Sequence, residues 1–433
     1  MRLQVYSRSL AFISSTAAAA LVLFALAMAC AEAAENQAIS ESKSAAAIAD
    51  LEAALAKGDW GEALAGRKFA RVPLTRTDAA KARELLWKQH VAFVTKDREA
   101  EMEKHVLTFE KHEMPFSVKK FGDEPKQGHS LWISMHGGGG APKRVNDSQW
   151  ENQKRLYKLD EGIYVCPRAP TDNWNLWHEP HIDVLFDRLI EDMIAIEHVD
   201  PDRVYIMGYS AGGDGVYQLA PRMADRWAAA AMMAGHPNDA SWLGLRNIGF
   251  AIQVGGRDGA FNRNKVAQEW IERLDKLHND DPGGYVHFSK VFENKGHWMD
   301  GEDAKVIPWM AAIRRNPIPD RIVWKQSSVV HDRLYWLAVP KADKSLAGGL
   351  VTAERSKQTF EIKSAEKIET LLVRLDDRMV DLDQPVKVTY GGKTLFDGQL
   401  NRTIATLFHS LDKRGDPKLM FDAEVEVKLP AEK

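Results

Sequence analysis

The segment MGYSAGGDG (207–215) places Ser210 between Gly208 and Gly212 in a G-x-S-x-G pattern. This pattern is typical of a nucleophile elbow, a tight turn between a strand and a helix that presents a serine hydroxyl at the edge of a sheet. The apolar run before it, RVYIM, predicts a strand, and an amphipathic helix is predicted after it. The alternative is a serine in an ordinary glycine-rich turn, but this context favours a nucleophile.

Two residues downstream could activate such a serine, whose hydroxyl is a weak nucleophile without a base. Asp258 lies in QVGGRDGAFN and His297 in ENKGHWMD, each just past an apolar strand-like run. The order serine, acid, histidine is the one found with this elbow, and loops after parallel strands share one sheet edge. The sequence therefore predicts a catalytic triad in which His297 transfers the proton and Asp258 orients its ring.

Other titratable residues near these motifs are weaker candidates for the triad. His236, in MAGHPND, follows a strand but precedes the acid, so we expect it to line the substrate pocket. Asp214 stands one helical turn past the serine, where a helix or pocket residue is expected. Asp300 and Asp303 follow His297 too closely in the chain to orient its ring.

The glycine run MHGGGG (135–140) follows another strand-like segment and could form an oxyanion hole. Glycines let backbone N–H groups approach a developing negative charge without interference from Cβ atoms. We assign the donors to Gly138 and Gly139 together with Ala211. The choice of glycines could shift by one position along the run. A phosphate-binding loop is the alternative, but no Lys-Ser/Thr follows and no helix pattern starts there.

The candidate substrate pocket is aromatic. Trp174, Trp177 and His178 lie in RAPTDNWNLWHEPHID (168–183), which leaves the strand after the glycine run, and Trp298 adjoins the candidate base. These side chains could form a wall for an acyl or sugar group, or could simply pack a long loop. No arginine or lysine stands in an obvious place to hold a substrate carboxylate, so nothing favours a carboxypeptidase-like function.

The motifs HGGGG, DPDRVYIMGYSAGG, GGRDG and KGHW, in this order, resemble those of secreted α/β-hydrolase esterases. The group they resemble includes polyhydroxybutyrate depolymerase-like and feruloyl or acetylxylan esterase-like enzymes. The resemblance covers about residues 105–313, and it implies an α/β-hydrolase fold, the Ser210–Asp258–His297 triad, and no metal or organic cofactor. The flanking regions match no standard substrate-binding domain.

Patterning along the chain predicts an α/β protein with added regions at both ends. Apolar strands alternate with amphipathic helices in the middle, which calls for a mostly parallel sheet covered on both faces. The C-terminal part predicts a small β-sandwich-like module with one helix, in RTIATLFHSLDKRG. The expected divisions are a signal peptide at 1–33, a helical region at 34–104, the hydrolase domain at 105–313, a linker at 314–324 and the β module at 325–433.

Charge and the first residues bear on partners and location. A net charge of −3 over 433 residues gives no indication of nucleic-acid binding. Arg2 and Arg8 precede the uncharged segment 11–29, and small residues follow, as in a secretory signal peptide cleaved after Ala33. We therefore expect an exported protein, periplasmic or extracellular, with no membrane contact after cleavage. The alternatives are an N-terminal membrane anchor and lipidation at Cys30.

Three function classes remain open from the sequence. The leading one is an exported serine esterase acting on a small-molecule or polymer ester. A serine peptidase of the prolyl-oligopeptidase type shares the fold and triad, but the helical N-terminal region cannot supply that class's β-propeller. A non-catalytic binding protein on a hydrolase fold is the third. The β module could contact carbohydrate or polymer through Trp324 and Trp336, which are equally explained as core.

The signal peptide can be tested on the protein itself. We expect the intact mass of protein recovered from the periplasm or medium of an expressing bacterium to match a chain that begins at Ala34. A mass that still includes residues 1–33 would contradict cleavage, and an added diacylglycerol on Cys30 would identify a lipoprotein instead.

Overall fold

The computed structural model of the protein describes residues 40–430, in two compact units. The predicted signal peptide, its membrane-anchored alternative and Cys30 lie outside the described residues. The first unit comprises residues 40–82 and 402–405. It contains helix α1 (40–56), helix α2 (Glu62–Ala65) and the start of helix α3 (Arg76–Lys104). Leu51 and Leu64 are fully buried in it, which agrees with the predicted amphipathic helices.

The second unit, residues 83–401 and 406–430, is built on one eight-stranded sheet. Its strands are β1 (Val106–Phe109), β2 (His112–Phe121), β3 (His129–Met135), β4 (Gly162–Pro167), β5 (Val199–Tyr209), β6 (Ala229–Met233), β7 (Gly249–Gly255) and β8 (His287–Phe292). The strand order is β1-β2-β4-β3-β5-β6-β7-β8, antiparallel through β4 and parallel from β4 to β8. This order confirms the predicted α/β-hydrolase fold.

Helices connect these strands and cover the sheet. They are α4 (Lys143–Gln153), α5 (Pro180–Ile196), α6 (Ala211–Arg222), α7 (Arg263–Asp280) and α8 (Ile307–Ala311). Every residue of β3, β4, β6 and β7 is buried, as expected for parallel strands covered on both faces. The carboxyl ends of β3, β5, β7 and β8 meet at the same edge of the sheet, which brings their following loops together.

Helix α4 corrects the expectation that no helix starts after the glycine run. Its sequence, KRVNDSQWENQ, lacks apolar periodicity because its buried residues are the amides Asn146 and Gln153. Asn146 accepts a hydrogen bond from the backbone and donates to the Asp172 side chain, and Gln153 donates to the Ser134 hydroxyl. Hydrogen bonding thus permits a polar buried face that the hydrophobic pattern could not reveal.

The C-terminal part of the second unit forms two further sheets. The strands are β9 (Arg321–Lys325), β10 (Arg333–Leu334), β11 (Leu337–Ala338), β12 (Leu350–Ser356), β13 (Thr359–Glu366), β14 (Thr370–Leu375), β15 (Val386–Tyr390), β16 (Lys393–Gly398) and β17 (Ala423–Lys428). Their orders are β16-β15-β13-β12-β9 and β10-β11-β14-β17. The predicted helix is present as α9 (Ile404–Arg414). β9 begins inside the segment predicted as a linker, and the domain boundaries otherwise stay a prediction.

The two tryptophans considered for ligand contact lie in the core of this β module. Trp336 and Trp324 are 0% and 2% exposed. The Trp336 ring meets Phe360, on the five-stranded sheet, edge to face at 5.3 Å between centroids. Trp336 itself stands between β10 and β11 of the other sheet, so the contact joins the two sheets as in a sandwich. Neither tryptophan offers a surface to a carbohydrate or polymer.

Buried ion pairs connect α9 and the turn after it to loops that follow α6 and α8. Arg414 forms an ion pair with Asp225, and Arg315 Nη1 lies 2.8 Å from Asp416 Oδ2. All four side chains are at most 4% exposed. A buried charge without its partner is strongly destabilising, so these pairs tie the two parts to one arrangement.

Among residues 40–430, no helix combines the length and apolar character needed to cross a bilayer.

The buried pair predicts a stability loss that an exposed pair does not. Arg414→Met leaves Asp225 buried without its cation and is expected to lower the free energy of unfolding by about 3–5 kcal/mol, measured by urea denaturation. The control is Lys305→Met, which removes a 73% exposed lysine paired with Glu302 and should change stability by less than about 0.5 kcal/mol. A loss at Arg414 as small as that at Lys305 would contradict the proposed tie.

Candidate active site

Ser210 occupies a strained turn between β5 and α6. Its backbone has φ 59° and ψ −120°, in the left-handed half of conformational space that non-glycine residues rarely adopt. Its N–H donates to the Met233 carbonyl on the neighbouring strand at 2.9 Å. Strain of this kind persists only where surrounding contacts fix it, and it is concentrated at functional sites. The turn holds Ser210 at the sheet edge, as the elbow pattern predicts.

The glycines of the pattern make this turn possible. A Cβ at Gly208 would lie 2.3 Å from the Gly212 carbonyl oxygen, and a Cβ at Gly212 would lie 2.2 Å from the Met135 carbonyl oxygen. Real Cβ atoms do not approach oxygen so closely. The elbow therefore packs backbone against backbone on both sides of Ser210, and only glycine fits there.

The structure brings the three predicted triad residues into one hydrogen-bonded chain. His297 Nε2 lies 3.0 Å from Ser210 Oγ, and His297 Nδ1 lies 2.8 Å from Asp258 Oδ2. Asp258 is 1% exposed and follows β7, while His297 is 43% exposed and follows β8. With Nδ1–H donating to the carboxylate, Nε2 accepts the serine proton. This arrangement can deprotonate Ser210 as its oxygen attacks an electrophile.

Backbone contact between the loops after β7 and β8 sets the spacing of acid and base. A Cβ at Gly255 would lie 2.0 Å from the Gly296 carbonyl oxygen. The Arg257 N–H donates to the Lys295 carbonyl at 2.9 Å. This hydrogen bond joins the two loops at Arg257, the residue before Asp258, and at Lys295, two residues before His297.

Tyr209, which sequence reasoning missed, anchors the histidine loop from the strand that carries the serine. Its hydroxyl donates to the His297 carbonyl at 2.6 Å and accepts from the Met299 N–H at 3.0 Å. Burial is the main reason that the pKa of Tyr209 is raised, so the hydroxyl stays protonated and can donate. Its position directly before Ser210 was the available sequence signal.

The competing carboxylates have other partners. Asp214 Oδ1 accepts from the His236 N–H at 2.6 Å, and burial is the main cause that raises its pKa. Asp303 is buried and accepts from the Tyr157 hydroxyl, while Asp300 pairs with Lys295.

The glycine run lies beside Ser210, but one predicted oxyanion donor is wrong. The Gly139 N–H donates to Asn146 Oδ1 at 2.8 Å and so cannot bind an oxyanion. Gly137 and Gly138 line the cavity at Ser210, and a Cβ at Gly137 would lie 3.2 Å from Ser210 Cβ. Gly138 therefore stays a candidate donor, and Gly137, one position before it, replaces Gly139 as the other glycine candidate. Ala211 remains the candidate on the helix side.

His136 fixes the start of this loop. Its Nδ1 donates to the Gly137 carbonyl at 2.6 Å, and its Nε2 accepts from the Ala169 N–H at 3.2 Å. Both ring nitrogens are therefore used by the neutral imidazole. Burial chiefly, with a smaller contribution from Arg168, lowers the pKa of His136 to about 4 against the opposing effect of the Gly137 hydrogen bond.

The cavity above Ser210 has a volume of about 610 Å³, within the usual range of ligand pockets. Much of its wall comes from α4 and the turn that follows it. The lining residues are Gly137, Gly138, Val145, Gln149, Asn152, Gln153, Arg155, Leu156, Tyr209, Ser210, His297 and Trp298.

Only Trp298, 51% exposed, lines this cavity among the predicted pocket residues. Trp177 is fully buried, and its Nε1–H donates to the His136 carbonyl at 3.0 Å, so it supports the glycine loop from below. Trp174 and His178 pack edge to face with each other and do not line this cavity. His236 also lies outside the cavity lining and is held beside Asp214. Trp177 thus packs inside the fold, whereas Trp174 is 63% exposed and lies beside Gly140, so its contact with a substrate stays a prediction.

Residues 40–430 contain no group of three or more His, Cys, Asp or Glu side chains arranged to hold a metal ion.

Comparison with known proteins finds esterases and peptidases. No protein-family model matches the chain. A relative named "Putative esterase NocK", from Nocardia uniformis subsp. tsuyamanensis, is 31% identical over 119 residues. That match covers 25% of this chain and 33% of the relative, so the chain spans about a third of the curated relative it matches.

Solved structures with a similar fold are a thermostable esterase (16% identity, TM-score 0.37, 48% of this chain and 62% of that chain) and a carboxylesterase from Mesorhizobium loti (17%, 0.33, 48% and 98%). Dipeptidyl peptidase 4 of Porphyromonas gingivalis is also similar (14%, 0.31, 43% and 30%). These TM-scores are low, and the fold assignment rests on the strand order instead. The chain resembles esterases and has the α/β-hydrolase fold.

The buried His136 predicts a pH dependence of stability. The unfolded chain binds a proton at this residue below about pH 6.5, whereas the folded chain accepts it only near pH 4. Because the folded pKa is lowered, the stability that neutral His136 contributes is present above pH 6.5 and is lost as the pH falls toward 4. Between pH 7 and pH 5 the wild type should lose about 2 kcal/mol more than His136→Asn, measured by urea unfolding. Equal losses in the two proteins would contradict the assignment.

Proposed function

We propose that the protein is a serine hydrolase that cleaves carboxylic esters through an acyl-enzyme on Ser210. The observation that carries the proposal is the hydrogen-bonded chain from Ser210 through His297 to Asp258, at 3.0 and 2.8 Å. Both distances lie within the range that a general base and its orienting carboxylate require. The esterases among the similar proteins support the same reaction class.

The proposed reaction has two halves. Ser210 Oγ attacks the ester carbonyl carbon as His297 Nε2 takes its proton, and the carbonyl oxygen becomes an oxyanion. Backbone N–H groups of the glycine loop and of Ala211 would stabilise that charge. His297 then donates the proton to the leaving alcohol, which leaves an acyl ester on Ser210. A water molecule, deprotonated by His297, attacks this ester and releases the carboxylic acid and the free serine.

Asp258 has a supporting role in both halves. Its buried carboxylate holds the ring of His297 in the tautomer that accepts at Nε2, and it stabilises the imidazolium that forms transiently. The contacts of Tyr209 with the loop around residue 297 favour the same ring position.

An ester substrate is favoured over a peptide, the second possibility, because the relative matched at 31% identity is named an esterase. The third possibility, a non-catalytic protein on this fold, is disfavoured because an inactive protein has no need to keep the strained conformation of Ser210. Export and cleavage after Ala33 remain part of the proposal.

Hydrolysis of p-nitrophenyl esters of graded acyl length tests the proposed function. Ser210→Ala should lower kcat by about four to six powers of ten, because triad members act as one unit. The matched control is Ser356→Ala, which removes the hydroxyl of an exposed serine in the β module and should leave kcat unaltered. A folded wild type inactive on every ester, or a Ser210→Ala variant as active as the wild type, would overturn the proposal.

A further inference from the structure

The wall of the Ser210 cavity contains one charged side chain that the proposed reaction does not use, that of Arg155. We propose that Arg155 forms a subsite for a carboxylate, and that the preferred substrates are esters carrying a carboxylate on the half that occupies this cavity. This inference rests on the proposed function and narrows its substrate class. Sequence reasoning missed Arg155 because it did not predict α4, the helix that positions it.

The turn after α4 places Arg155 in the cavity lining, where the residue is exposed to solvent. The helix ends at Gln153, and the Arg155 and Leu156 N–H groups donate back to the Asn152 and Gln153 carbonyls at 3.2 Å each. These bonds turn the chain so that residues 152, 153, 155 and 156 all line the cavity. Arg155 therefore lines the same cavity as Ser210, the candidate nucleophile.

A neutral neighbour holds the Arg155 side chain. Arg155 Nη2 donates to Asn152 Oδ1 at 3.1 Å. A guanidinium has five N–H donors, so this bond leaves most of the donors available. Because the partner is an amide, it restrains the guanidinium without neutralising the positive charge.

The nearby acidic residues of α4 already have cations. Glu151 Oε1 lies 2.5 Å from Lys154 Nζ. Asp147 pairs with both Lys143, at 2.7 Å, and Arg168, at 3.0 Å. Among the described residues, Arg155 forms no ion pair of its own.

The cavity lining gives this charge no compensation. It contains no Asp or Glu, and its remaining polar side chains are amides, hydroxyls, the His297 imidazole and the Trp298 indole. A concave site with one uncompensated cation attracts anions and raises their local concentration. The planar fork of arginine suits a carboxylate, which can accept two parallel hydrogen bonds from it.

Matched ester pairs test the subsite. The anionic probes are the mono-p-nitrophenyl esters of succinic, glutaric and adipic acids, and each is compared with the neutral ester of equal chain length. The readout is the ratio of kcat/KM for the anionic ester to that for the neutral ester. Arg155→Met should lower this ratio roughly 10- to 100-fold for the probe whose length best spans the cavity, as expected for loss of a charged hydrogen bond.

Two further variants separate charge from bulk. Arg155→Lys keeps the charge without the fork and should give an intermediate ratio. Arg155→Glu should reverse the preference, so that a choline ester is hydrolysed faster relative to its neutral counterpart than by the wild type. The control Arg144→Met removes an exposed cation from α4, outside the cavity lining, and should leave the ratio as in the wild type.

The outcomes distinguish this inference from the proposed function. Hydrolysis that depends on Ser210, with a ratio that Arg155→Met does not alter, would overturn the subsite and leave the esterase intact. An equal fall of the ratio in Arg144→Met would show a general surface-charge effect and would also overturn it. Absence of any Ser210-dependent hydrolysis, of neutral and anionic esters alike, would instead overturn the proposed function.

Discussion

The close approach of backbone to backbone around Ser210 is the constraint on which the site depends. The residue adopts a left-handed conformation between a buried strand and a helix, and the flanking chain touches neighbouring carbonyl groups at distances that no side chain permits. Gly208 and Gly212 meet this requirement from the two sides of the turn. The same device recurs at Gly255, where the loop carrying the acid approaches the loop carrying the base. The three side chains can form one hydrogen-bonded chain only because these backbones lie so close.

The polar support around this constraint is built from buried groups whose partners are fixed. His136 and Trp177 hold the glycine loop from beneath, and Tyr209 holds the loop of His297. Asn146 fixes the far side of the glycine run by accepting the Gly139 N–H. Each of these groups is buried or nearly so, where an unmade hydrogen bond is costly. These hydrogen bonds hold the glycine loop and the loop of His297 in one arrangement around Ser210.

The sequence predicted the fold and the triad contacts because their signals are local. Ser210, Asp258 and His297 each follow an apolar strand in a glycine-bearing loop, and parallel strands bring such loops together. The cavity wall could not be predicted in this way. Helix α4 buries amides instead of apolar side chains, so its sequence shows no hydrophobic periodicity. Arg155, which lies just after this helix, was therefore not predicted to line the cavity. Trp177 was predicted to form part of a pocket wall because it is aromatic, but tertiary packing buries it in the protein core.

The central claim is that Ser210 is the activated nucleophile, and covalent capture tests it most directly. The folded protein would be treated with diisopropyl fluorophosphate, whose phosphorus the serine oxygen attacks with loss of fluoride, and the modified residue would be located by peptide mass mapping. We expect one diisopropylphosphoryl group on Ser210, formed far more slowly in His297→Ala because the oxygen loses its base. A folded protein with Ser210 unmodified, or with modification spread over other serines, would contradict the claim.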